Sequence, residues 1–262
     1  MMNTNSSADA TVGAISGATV DVTVPGALPL TGGSPGRLFL PHAVIALASL
    51  AFLNWLIIEH APFGVKQIGA SYLIAFYHVP SAILMGVAYT LVFAAGIMVL
   101  LTKSVEWDRR ARAAAAAGLL ANGVVLVTGS VWGKAAWNLW WNFQDPRLTT
   151  SAVIFLIYLA YFVLSRGIED ESKRARICAI YGILALLAYM PVKYAVEWFG
   201  QGSHPPKVAM DGAQIRDTLN AGLLAFFFLY SLLYRWKYDL DTLRARSDAA
   251  LSRVRRLEDL RS

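Results

Sequence analysis

The chain has 262 residues, 56% hydrophobic and only 15% charged, with a mean hydropathy of +0.49. Soluble domains carry about a quarter charged residues, so a water-surrounded globule is excluded, and 12% aromatic residues exclude a disordered chain. The net charge of +6 can reflect nucleic-acid binding or membrane sidedness, while a single cysteine excludes an internal disulfide and any cysteine-based metal cluster.

In chain order, residues 1–36 are rich in Ser, Thr, Gly, Ala and Pro, lack a signal-peptide pattern and read as a disordered cytoplasmic tail. About 20 apolar residues cross a bilayer core. Six charge-bounded stretches qualify: Leu38–Ile58, Gln67–Thr102, Ala113–Gly133, Leu148–Ser165, Ile177–Val192 and Thr218–Tyr234. The first serves as an uncleaved insertion signal and carries His42. In the second, Gln67–Tyr77 reads as interfacial and the span opens near Pro80, because proline suits the first turn of a helix. Residues 237–262 read as a charged cytoplasmic helix in which Leu240, Leu243, Ser247, Ala250, Val254 and Leu257 follow a weak heptad spacing. A solvated or membrane-lying helix is the favoured reading there, with a coiled coil as the alternative. The predicted fold is an all-α integral membrane protein with six transmembrane helices and an external tryptophan-rich loop at 132–149. Its organisation is a tail (1–36), a six-span domain (37–236) and a C-terminal helix (237–262).

The loops set the sidedness. Arg37, the loops after spans two and four and the segment after span six hold 17 of the 23 basic residues. The other side holds six: Lys66, Lys134, Arg147, Lys193, Lys207 and Arg216. The positive-inside rule therefore predicts cytoplasmic termini. The charge becomes a topology signal, lipid is the expected surroundings, and nucleic acid drops out as a partner.

The external segments then hold His60, His78 and His204, and four of the eight tryptophans (Trp132, Trp137, Trp140 and Trp141) fall within ten residues. An interfacial aromatic belt is one reading. A stacking surface for a flat, apolar ligand is the other, with Asp145 and Arg147 at its edge and Arg147 able to pair with a carboxylate. His78 stands just before Pro80, and His204 in a Gly/Pro-rich turn after span five. Each histidine alone reads as a satisfied hydrogen-bonding group. Two imidazoles beside an aromatic platform describe bis-histidine ligation of haem iron. The sequence has no H-E-x-x-H, P-loop or G-x-G-x-x-G motif.

The stretches Tyr77-His78-Val79-Pro80, Thr128-Gly129-Ser130-Val131-Trp132-Gly133-Lys134, Trp137, Trp140-Trp141, Asp145-Pro146-Arg147-Leu148-Thr149 and Pro191–Trp198 resemble, in order, the C-protein family of bacterial cytochrome c maturation. The resemblance runs from about residue 38 to 236. It implies six spans in the bacterial inner membrane and a periplasmic platform of Trp132, Trp137, Trp140, Trp141 and Asp145. It also implies haem b with its iron held by His78 and His204, and no enzymatic activity of the chain's own. The implied partners are a periplasmic haem chaperone (CcmE-like), ABC-type transporter subunits (CcmA/CcmB-like) and a small membrane subunit (CcmD-like). Where the family has Trp directly before the motif aspartate, this chain has Phe143-Gln144, which makes Phe143 a stacking ring. A cytochrome c synthase component, or a transporter or docking subunit without haem, are the other readings. Such synthases tend to carry more spans or a large partner domain.

Overall fold

The computed structural model describes residues 39–60, 69–199 and 212–260, all within the unit spanning 35–262. Its helices are α1 (Phe39–Glu59), α2 (Ala75–Thr102) entered by a 3-10 turn (Gly69–Ile74), α3 (Val105–Trp137), α4 (Pro146–Arg166), α5 (Glu171–Leu187), the short α6 (Tyr189–Lys193) and α7 (Ala195–Phe199), and α8 (Ala213–Asp259). Six helical stretches are long and apolar enough to cross a membrane, and no strand occurs among the described residues. In hydrocarbon a helix satisfies every backbone group within itself. The expected fold, an all-α membrane protein of six spans, is the one observed.

Four boundaries differ from the sequence expectation, each for a local reason. Pro80 does not open the second span, because α2 starts at Ala75 and carries Pro80 in its interior. Proline has no N–H to give the Phe76 carbonyl, and α8 packs there through Gly222. A Cβ on Gly222 would stand 2.7 Å from that oxygen, so only glycine permits the approach. The fifth span breaks at Ala188, since Pro191 cannot donate to the Leu187 carbonyl.

The expected loop at 132–149 is largely helical at its start. Helix α3 runs through Trp132 to Trp137 and ends where Asn138 adopts a left-handed conformation (φ 58°), its N–H bonding back to Gly133 and Lys134 carbonyls. Lys134 Nζ donates to Asn138 Oδ1 at 2.6 Å and secures this stop. Finally, α8 is one unbroken helix of 47 residues, about 70 Å long at 1.5 Å per residue. The segment from 237 onward continues the last span.

Small residues let the helices close up. Ala111, Ala113–Ala115, Ala117, Gly118 and Ala121 of α3 are buried, facing a core of Tyr89, Val92, Tyr158 and Tyr161. Close backbone approach through small side chains is how helices associate in lipid. Because α3 begins eight residues before the predicted span, it also brings Asp108 and Arg112 into the packed end. Arg112 donates to Asp108 at 2.5 Å and to Asp241 of α8 at 3.1 Å. Arg174 of α5 lies 3.5 Å from Asp108, and Lys237 lies 2.5 Å from Asp241. This ionic cluster ties α3, α5 and α8 at the basic end of the bundle.

Candidate functional site

The opposite end of the bundle carries the predicted site residues. His78 is in the first turn of α2, half-buried. Its Nδ1 lies 2.9 Å from Thr128 Oγ1 on α3, and its ring rests on Gly129, where an added Cβ would meet His78 Cε1 at 3.3 Å. The glycine thus makes a cradle for the imidazole. Trp132 stands four residues beyond Thr128, one turn further along the same face of α3. The histidine and the first tryptophan therefore share one edge of the bundle.

The aromatic surface is built around the end of α3 and the link to α4. Trp132 and Trp137 are half-buried and packed at 5.1 Å between ring centroids. Trp141 and Phe143 meet edge to face at 6.2 Å, so Phe143 joins the cluster. Leu139, Trp140 and Phe143 are exposed, Phe143 at 83%. A contiguous exposed apolar patch of this kind marks a binding or membrane-facing surface. The Trp141 indole Nε1 is buried and has no hydrogen-bond partner among the described residues.

The link is held by local hydrogen bonds. Gln144 N–H donates to Asn142 Oδ1 at 3.0 Å, and Thr149 Oγ1 donates to the Phe143 carbonyl at 2.9 Å. Asp145 is fully buried and caps α4, accepting from the backbone N–H groups of Arg147 at 3.0 Å and Leu148 at 3.2 Å. Pro146 follows at the first helical position, where its missing N–H leaves nothing unpaired. The Asp145 carboxylate faces helix backbone, and through the cap it fixes the direction in which α4 leaves the platform. Arg147 sits in that same first turn.

Of the remaining residues singled out in the sequence, His204 lies outside the described residues. His42 bonds Ser231 of α8 at 2.9 Å, and His60 is exposed with its ring 4.8 Å from that of Trp55; both have structural surroundings of their own. At the same end of the bundle, Tyr194 and Trp198 stack at 5.6 Å and are exposed, with Lys193 over the Tyr194 ring.

Two residues beside His78 carry no role in the sequence reading, Thr128 and Gly129. Their signal was a hydroxyl next to a glycine inside an apolar span, the composition of a close helix–helix contact. The capping role of Asp145 was also legible, as an Asp-Pro pair ahead of an apolar run. Together these residues present one anchored imidazole, a broad indole surface, a buried N–H donor at Trp141 and cations at Lys134 and Arg147. Such an array suits a flat apolar ligand that carries carboxylates and a metal.

Residues 34–257 match a family described as heme exporter protein C (CcmC). The heme exporter protein C of Paracoccus denitrificans is 31% identical over 206 residues, covering 74% of this chain and 83% of that protein. That of Bradyrhizobium diazoefficiens is 30% identical over 193 residues, or 73% and 72% of the two chains. A putative cytochrome c biosynthesis ccmC-like mitochondrial protein of Marchantia polymorpha is 28% identical over 188 residues, or 70% and 79%.

Proposed function

The chain belongs to the heme exporter protein C family, and we propose that it holds haem b at the His78 end of its bundle and hands it on during c-type cytochrome maturation. The observation that carries this reading is an imidazole fixed between α2 and α3 on the same edge as the tryptophan cluster. The 17 basic residues that the sequence assigns to one side of the membrane, against six on the other, support a periplasmic site in the inner membrane and cytoplasmic termini.

The residues fit a haem in two respects. Gly129 leaves room for an imidazole ligand that Thr128 holds, and the buried Trp141 N–H lacks an acceptor that a propionate would provide. Bound there, haem supplies an iron centre for imidazole coordination and a flat apolar face for stacking. In this reading His78 and His204 hold the iron, Trp132, Trp137, Trp140, Trp141 and Phe143 cover the ring faces, and Arg147 pairs with a propionate. Asp145 keeps the α3–α4 link in place through its cap. Trp140 and Phe143, exposed at the edge, are where a periplasmic haem chaperone docks to collect the cargo. ABC-type transporter subunits and a small membrane subunit complete the assembly. The chain itself acts as a carrier and forms no covalent bond.

Purification in mild detergent from haem-replete cells tests this. A low-spin haem spectrum is expected, lost in His78→Ala and weakened in Trp140→Ala and Trp141→Ala. Colourless wild-type protein that still captures a partner would favour a docking subunit without haem. Thioether attachment of haem to an apocytochrome by the purified chain would favour a synthase.

A further inference from the structure

Thr128 stands in an otherwise apolar turn of α3, and its hydroxyl has two engagements. Oγ1 lies 2.6 Å from the Val124 carbonyl and 3.3 Å from the Val125 carbonyl. The same oxygen lies 2.9 Å from His78 Nδ1. A hydroxyl has one hydrogen. Two oxygens at 2.6 Å require that hydrogen between them, so it is given to Val124 and only lone pairs remain toward the histidine. Nδ1 must therefore be the donor.

We propose that Thr128 is the positioning residue of this site: by accepting the Nδ1 proton of His78 it fixes the tautomer whose lone pair is on Nε2, and so makes Nε2 the iron-ligating atom. The inference rests on the haem-holding function proposed above. A ligating histidine is oriented, and its ligand nitrogen chosen, by the hydrogen bond its other nitrogen makes. Here the acceptor is itself locked by back-bonding to its own helix, and the missing Cβ of Gly129 leaves room for the ring at Cε1.

The test uses the full chain in detergent and two variants, Thr128→Val, which keeps the shape and removes the acceptor, and Thr128→Ser, which restores it. The first readout needs no haem: nitrogen NMR of 15N-histidine-labelled apoprotein, with the His78 signals identified by their loss in His78→Ala. Wild type and Thr128→Ser are expected to show a protonated Nδ1 and an unprotonated Nε2, and Thr128→Val a mixture. The second readout is haem retention against excess apomyoglobin, expected to fall roughly 10- to 100-fold in Thr128→Val and to recover in Thr128→Ser. A protonated Nε2 in the wild-type apoprotein overturns the proposal, as does a Thr128→Val protein with unchanged tautomer and retention. If the tautomer behaves as expected but wild type retains no haem, the haem-holding function itself fails, and the ligating role of Nε2 with it.

Discussion

Replacing Arg112 with methionine is expected to destabilise the bundle by about 3 kcal/mol while leaving the His78 site untouched. The Arg112 side chain is 10% exposed and bridges Asp108 and Asp241, whose side chains are 1% and 7% exposed. At an effective dielectric of about 20, a unit pair near 3 Å is worth about 5 kcal/mol before desolvation is subtracted. Removing one member of a buried pair costs about 3–5 kcal/mol, because the partner charge stays buried. Arg174 remains 3.5 Å from Asp108 and Lys237 remains 2.5 Å from Asp241, so both carboxylates keep one cation and the loss falls at the low end. For a chain of this size 1 kcal/mol corresponds to about 2–4 °C in Tm, hence a fall of roughly 6–12 °C. Tryptophan-fluorescence melting of the purified protein measures it. Arg112→Lys should fall between the two, since an ammonium lacks the fork that reaches both carboxylates. A fall below about 2 °C for Arg112→Met would refute the assignment of this cluster as the clamp on α8.

The cap at Asp145 separates two roles for that residue. Asp145→Ala should cost about 1 kcal/mol and lower haem retention, whereas Asp145→Asn, an equally good cap, should keep both; a haem loss in Asp145→Asn equal to that in the alanine variant would mean that the carboxylate charge contacts the ligand. Gly129→Ala puts a methyl group 3.3 Å from His78 Cε1 and should perturb the haem spectrum with a stability loss of no more than about 1–3 kcal/mol; an unaltered spectrum argues against the cradle. Gly222→Val meets the Phe76 carbonyl and should destabilise by about 1–3 kcal/mol in thermal melting, with Pro80→Ala, which leaves Gly222 in place, causing a smaller effect.

Hydropathy, charge and residue chemistry are local properties, and they carried a large part of the structure. Six apolar stretches became six crossing helices because a helix is the one open-chain element that satisfies its backbone in lipid. The four clustered tryptophans were visible as composition, and the motif order around His78 and Trp132 pointed to the family that the comparisons establish. What hydropathy could not supply is the rotation and crossing of each helix. That geometry sets Thr128 and Gly129 under His78, brings Gly222 onto the carbonyl that Pro80 leaves open, and joins Arg112 to Asp241 across 129 residues of chain. Each of these depends on which face of one helix meets which face of another, and two helices with the same apolar composition can meet on many faces. Packing of small against large side chains chooses among them, and that choice turns a tryptophan-rich sequence into an edge with one anchored histidine.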